Sequence, residues 1–188
     1  MVGASQLALT ERFSIAAYGS DAELLAACRR REMGAFEQLY RTHGARLKSV
    51  AYHIAGSRQD AEDAVQETFL KAYRGIDGFA GGSSIGTWLC RICINACYDL
   101  VRKRQLEAQR AEPAQLEAAA PQFALRAQLQ QALGRIDPRR RMVFLLFAVE
   151  GMKHSEIAAI LEIPEGTSKA WLFEAKRELQ RLLTETRP

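Results

Sequence analysis

The chain has 188 residues, 48% of them hydrophobic, and a formal net charge of +4 at pH 7. That length holds one or two small domains with real cores, and the mild basicity permits nucleic-acid binding without requiring it. No window approaches the roughly 18 apolar residues of a membrane span, and residues 1–13 lack a basic stretch leading into an apolar run, so neither membrane insertion nor a secretory signal is expected. The chain therefore reads as cytoplasmic, with its four cysteines as reduced thiols.

Residues 1–20 read as an N-terminal extension. No stretch beyond them alternates apolar and polar residues as a strand does, so an all-α fold is expected. Residues 21–42 give one or two helices with Leu24, Leu25, Phe36, Leu39 and Tyr40 inward, and residues 44–55 another, ended by Gly56-Ser57. A third runs from about Asp60 to Arg74, and Gly75, Gly78, Gly81 and Gly82 then mark a loop. A long helix is predicted from about Ile85 to Arg104, with Ile85, Leu89, Ile92, Ala96 and Leu100 as its core stripe.

Residues 106–124 change character: Ala, Gln and Glu dominate, two prolines interrupt, and bulky apolar residues are nearly absent. Such a composition cannot bury a core, so a flexible linker is expected between domains at 21–105 and 125–188. Periodic helices resume at Leu125, Leu129, Leu133 and Ile136. After Asp137-Pro138 the run Met142 to Phe147 is too apolar to be exposed. A short helix with Ile157, Ala158, Ile160 and Leu161 on one side follows, with Ser155 expected to cap it. Pro164 opens the next helix, where Leu172, Ala175 and Leu179 form a buried stripe. Two helices joined by so tight a turn hold the second as a rigid probe, the geometry of a helix-turn-helix. The expected architecture is two small helical domains joined by a flexible linker, the C-terminal one with a helix-turn-helix.

Three surfaces could carry function. On the helix from Asp60, the residues Asp60, Asp63 and Glu67 fall opposite the apolar side, with Gln66 alongside. This is either a solvated face or a docking surface for a basic partner. On the long helix Arg91, Asn95, Tyr98 and Arg102 recur at spacings of four, three and four, flanked by Trp88. Arginine reaches phosphates, asparagine pairs with base edges and aromatic rings stack on unpaired bases; the alternative is a merely wet polar face. Cys90, Cys93 and Cys97 share a narrow arc of that helix. One straight helix offers poor tetrahedral geometry, so buried small hydrophobes are expected rather than a zinc site. His43, His53 and His154 show no catalytic spacing, and no phosphate loop, nucleophile elbow or metalloprotease signature is present. No cofactor, metal or catalytic residue is expected.

Three segments, in this order, carry a resemblance: DAEDAVQETFLKAYR at 60–74, GTWLCRICINACYDLVRKR at 86–104, and RIDPRRRMVFLLFAVEGMKHSEIAAILEIPEGTSKAWL at 135–172. From about Asp21 to Leu183 the chain resembles the bacterial RNA polymerase sigma factors of the extracytoplasmic-function group. The resemblance implies an alternative sigma factor that binds core RNA polymerase and directs promoter-specific transcription initiation, and not an enzyme. It makes 21–105 a region 2 domain and 125–188 a region 4 domain. It places Asp60, Asp63, Gln66 and Glu67 on the polymerase clamp, and Trp88, Arg91, Asn95, Arg102 and Lys103 on the minus-ten strand. Ser168, Lys169, Trp171, Leu172 and Lys176 would face the minus-thirty-five groove, with Arg139 to Arg141 near phosphates. The partners implied are core RNA polymerase, promoter DNA and an anti-sigma factor, with a monomer when free.

The chain also departs from the family pattern. Glu162 stands in the helix-turn-helix turn where a glycine is usual, and Trp171 and Glu174 stand where arginines are usual. A glutamate beside DNA would repel it. Two rival readings remain at this point. A stand-alone helix-turn-helix regulator would have no use for the acidic stripe, and a cysteine-based metal or redox sensor would hold stoichiometric metal.

Overall fold

A computed structural model describes residues 18–108 and 124–185, all of whose regular elements are helical. Of the predicted extension only residues 18–20, and of the predicted linker only 106–108 and 124, fall among them; the rest of both lies outside the described residues.

The first four helices are α1 (Asp21–Arg29), α2 (Met33–Ala55), α3 (Arg58–Gly75) and α4 (Ile85–Ala108). Their ends follow local chemistry. Ser20 Oγ accepts the Glu23 amide at 3.2 Å to start α1, and Ser57 Oγ accepts the Asp60 amide at 3.2 Å to start α3. Between α2 and α3 the chain turns at Gly56, whose φ of 76° lies in the left-handed region that glycine enters without a Cβ penalty. Ser84 Oγ accepts the Thr87 amide at 3.1 Å at the head of α4.

The break expected at residues 42–44 does not occur: α2 runs straight through His43 and Gly44. Phe36, Leu39, Leu47 and Val50 keep one continuous buried stripe across that point, and Gly44 is itself buried against the Tyr40 ring.

The second group is α5 (Ala124–Arg135), α6 (Pro138–Ala148), α7 (His154–Leu161) and α8 (Glu165–Glu185). Asp137 caps α6 by accepting the Arg139 and Arg140 amides at 3.0 and 3.2 Å, with Pro138 in the first turn. As expected of so apolar a run, Met142, Val143, Leu145 and Leu146 are buried. Helix α7 starts at His154 rather than being capped by Ser155, which lies inside its first turn. The Glu156 carboxylate reaches back instead, accepting the Lys153 amide at 2.8 Å. At the other end Glu162 caps α7 with φ 55° and ψ 44°, a left-handed conformation that side chains rarely adopt.

Among the described residues two buried clusters hold the fold. Ala132, Ile136, Ala175, Leu179 and Leu182 close α5 onto α8. The larger cluster centres on α4 and contains Leu39, Leu47, Val65, Leu89, Cys93 and Ile94, and it continues without a break into Met142, Val143, Met152, Ile157 and Ile160 of the second group. Helix α4 is therefore covered on two sides, by α2 and α3 on one and by α7 on the other. This explains why its core is wider than the predicted stripe. Leu89 and Ala96 are buried as expected, Ile85, Ile92 and Leu100 only partly so, and Cys90, Cys93, Ile94 and Cys97 join the fully buried set.

Candidate nucleic-acid interface

The acidic face of α3 is narrower than its periodicity suggests. Asp63 and Gln66 are exposed and Glu67 is half-buried, with Glu67 Oε1 3.8 Å from Lys71 Nζ. Asp60 does not belong with them: it is buried, and its carboxylate pairs with Arg104 near the end of α4. Its position in the first turn, under α4, turns a predicted docking residue into an interhelical tie. Beside the acidic residues lies an apolar patch that sequence reasoning missed. Met33, Phe36, Tyr40, Phe69, Leu70 and Tyr73 line an open groove of about 520 Å³ between α2 and α3. Tilted ring pairs, Phe36–Tyr73 at 5.0 Å and Tyr40–Phe69 at 5.2 Å, make its floor. The signal was available: Leu70 and Tyr73 fall off the Ala61–Val65–Thr68–Ala72 stripe yet are large and apolar. Such a patch on a surface marks a contact site rather than a core.

On α4 the predicted polar face is real but partly covered. Arg102 and Lys103 are exposed, Asn95 is exposed, and Tyr98 is 39% exposed. Trp88 does not join them; it is half-buried with its ring 5.2 Å from Phe79, an aromatic anchor for the glycine-rich loop. Where that loop enters α4, a Cβ on Gly86 would lie 2.8 Å from the His43 ring, so a larger residue there would have to displace that ring. Burial holds the His43 pKa below its ordinary value, with Arg46 adding to the effect and Asp21 opposing it. The cysteines are core residues. Cys93 Sγ donates toward the Leu47 carbonyl at 3.7 Å, and burial pushes the Cys90 thiol up to about 12 and the Cys28 thiol up to about 11. Among the described residues no group of three or more His, Cys, Asp or Glu is placed to hold a metal.

The second helix of the helix-turn-helix, α8, sorts its side chains clearly. Ser168 and Leu172, both expected at the groove, are buried: Ser168 Oγ lies 2.9 Å from His154 Nδ1, and Leu172 faces α7. Their heptad-like spacing with Ala175 and Leu179 places them on the apolar stripe, so neither stands at the groove where it was expected. The exposed side presents Lys169, Phe173, Lys176 and Arg177. Phe173 is 67% exposed, an off-stripe aromatic that the sequence reading passed over. Lys176 Nζ also lies 5.5 Å from the Phe147 ring centre, which itself stacks on His154.

The residues that break the family pattern all have partners within the chain. Glu174 Oε2 accepts from Arg140 Nε at 2.9 Å, with Glu178 3.9 Å from the same guanidinium. The repulsive charge expected at DNA is therefore balanced, and Arg140 is occupied in balancing it. Trp171 is half-buried and lines a cleft of about 490 Å³ between α4 and the helix-turn-helix, together with Arg91, Asn95, Tyr98 and Arg139. Across that cleft Glu162 Oε1 lies 2.6 Å from Arg91 Nη1.

These features define a class: a helical protein with a helix-turn-helix, a second helix with an exposed polar and cationic face, and an apolar patch beside acidic residues. The family model for Sigma-70 region 2 matches residues 39–107, and that for Sigma-70, region 4 matches residues 126–179. SigM, an extracytoplasmic-function sigma factor of Mycobacterium tuberculosis H37Rv, is 35% identical over 170 residues, covering 87% of this chain and 85% of the relative. SigW of Bacillus subtilis is 28% identical over 169 residues, covering 81% and 90%. Among solved structures, CnrH in complex with the cytosolic domain of CnrY aligns with a TM-score of 0.70 at 28% identity, covering 89% of this chain and 99% of that one. RpoE in complex with the anti-sigma factor NepR, from Bartonella quintana, aligns with a TM-score of 0.64 at 30% identity, covering 81% and 98%. The chain belongs to the extracytoplasmic-function sigma factors. It is an alternative sigma factor that directs promoter-specific transcription initiation. Among the described residues no helix is long and apolar enough to cross a membrane.

Proposed function

We propose that the three faces divide the work of a sigma factor. Helix α3 docks on core RNA polymerase through Asp63, Gln66 and Glu67, reinforced by Leu70 and Tyr73 of the adjoining apolar patch. Helix α4 meets the unpaired minus-ten strand through Arg91, Asn95, Tyr98, Arg102 and Lys103. Helix α8 enters the minus-thirty-five major groove with Lys169, Phe173, Lys176 and Arg177 outward, and Arg139 approaches phosphate from the head of α6. The observation that carries this reading is the co-occurrence of the patch on α3 with two separate cationic–aromatic faces on one chain. A stand-alone regulator has no use for the first of these.

The chain works in the cytoplasm, as a monomer when free, and performs no chemistry of its own. Two structural neighbours are held in complexes with CnrY and with the anti-sigma factor NepR, which supports an anti-sigma partner here. Transcription reconstituted from core polymerase and the purified chain on a pooled promoter library tests the proposal. Selective start sites that appear only when both are present support it. Tight, specific duplex binding by the chain alone, with no polymerase-dependent transcript, would favour the stand-alone regulator.

A further inference from the structure

The outward residues of α8, Lys169, Ala170, Phe173, Lys176 and Arg177, form one exposed face, and Glu174 stands at its edge. Glu174 is one helical turn from Ala170 and from Arg177, and its side chain is 40% exposed. Ala170 is itself exposed and too short to screen the carboxylate. On its other side Glu174 meets α6. Its Oε2 accepts from Arg140 Nε at 2.9 Å, while Arg140 Nη1 lies 3.9 Å from Glu178. Arg140, Glu174, Arg177, Glu178 and Arg181 line an open polar groove of about 520 Å³. Arg177 belongs to both groove and outward face, so the one opens directly beside the other.

Stability does not account for this pair. Val143 and Leu146 of α6 and Leu172 of α8 already share one buried apolar cluster. An ion pair left this exposed adds little to such a contact, because water and salt screen it. What the pair does is fix an acceptor. Arg140 holds Oε2 from a capped helix start and cancels the charge, which leaves Oε1 to accept from another donor.

An ionised carboxylate accepts hydrogen bonds and cannot donate them. In the major groove guanine presents N7 and O6, and thymine presents O4, all acceptors that repel it. Only cytosine N4 and adenine N6 donate there. Adenine sets its N7 acceptor beside N6, whereas cytosine carries a C–H beside N4. Cytosine is therefore the base edge that a pinned glutamate fits best. The neighbouring guanidinium removes the repulsion that a bare carboxylate would meet from phosphates.

We infer that Glu174 determines specificity by accepting from N4 of a cytosine in the minus-thirty-five element, with Arg140 as its positioning residue. This inference rests on the placement of α8 in that groove proposed above, and it adds which base edge the helix selects.

The test uses the holoenzyme formed by the full chain and core polymerase. Labelled promoter duplexes, chosen from the pooled library, have each minus-thirty-five base pair replaced in turn by the other three. At one position the parent should bind cytosine about five- to tenfold more tightly than any other base, the lower end of what a base-edge contact contributes. Glu174→Ala should bring that ratio within about twofold. Glu174→Gln keeps the side chain's shape and should move the preference to adenine, and Glu174→Arg should move it to guanine. Arg140→Ala should weaken binding to every duplex and blunt the cytosine preference. A cytosine analogue without the N4 amino group should cost the parent about five- to tenfold at that position and cost Glu174→Ala nothing further. Base preferences that are the same in the parent and in all three Glu174 variants, or an equal cost of the analogue in parent and Glu174→Ala, would overturn the assignment. Lys169→Ala with Lys176→Ala is measured in parallel. If that pair leaves affinity and salt slope unchanged, α8 does not lie in the groove, and the proposed role of α8 fails together with this inference. If it weakens binding while the Glu174 variants leave every base preference as it was, this inference alone fails.

Discussion

Replacing Leu70 by alanine isolates the apolar part of the proposed polymerase contact. Leu70 is 51% exposed, so about half of its apolar surface is still available for burial against a partner. Burying a whole leucine side chain is worth about 1.5–3 kcal/mol, which makes the remaining half worth about 0.8–1.5 kcal/mol. That corresponds to a roughly four- to twelvefold rise in the dissociation constant for core polymerase. The same substitution removes little from the core, and surface changes of this kind usually shift stability by less than about 0.5 kcal/mol. Fluorescence anisotropy of labelled chain titrated with core polymerase gives the affinity, and thermal unfolding followed by circular dichroism gives the control. Binding within twofold of the parent chain, with the melting temperature unchanged, would show that α3 does not present this patch to polymerase. A parallel fall in stability would instead mean that Leu70 packs more tightly than its exposure indicates.

Four further outcomes follow from the geometry. Reversing Asp63 and Glu67 together to lysine should abolish capture of core polymerase in a pull-down while the helical spectrum is retained, since neither is part of the core. Alanine in place of Cys90, Cys93 or Cys97 should cost about 1–3 kcal/mol in chemical denaturation without changing metal content, and the native thiols should resist a thiol-labelling reagent until the chain unfolds. His43 has its pKa lowered in the folded chain, so the unfolded chain takes up its proton first: stability should be complete above the ordinary histidine pKa of about 6.5 and fall as pH drops through and below it, a slope that His43→Gln should flatten in melts from pH 8 to pH 5. Lys169→Ala and Lys176→Ala should weaken promoter binding by polymerase holoenzyme across sequences and reduce its salt slope, whereas Phe173→Ala should alter minus-thirty-five preference and leave that slope unchanged.

Residue pattern alone determined a good deal. The all-α class, the helix-turn-helix and the run Met142 to Phe147 as core all follow from periodicity, because a helix that must bury a face repeats its apolar residues every three or four positions. Cysteine burial was legible for a similar reason: three thiols on one straight helix suit packing better than a tetrahedral metal. The resemblance of three ordered segments supplied the function. Periodicity failed where one helix serves two neighbours. It assigns a single buried face, so it could not anticipate that Ile94 of α4 would be covered as well as Leu89 and Ala96.

Which polar residue is free, and which is already engaged, only the tertiary structure decided. Asp60 looks like Asp63 in sequence but is buried against Arg104, and Glu174 looks like a charge aimed at DNA but is held by Arg140. Ser168 suits a groove contact by residue type yet closes on His154, while Phe173, which suits a core, stands in solvent. Glu162 and Arg91 are 71 residues apart, and no local rule links them. A side chain's partner depends on which helices cross near it, and crossing is a property of the packed chain; spacing along the sequence fixes only the face from which that side chain departs.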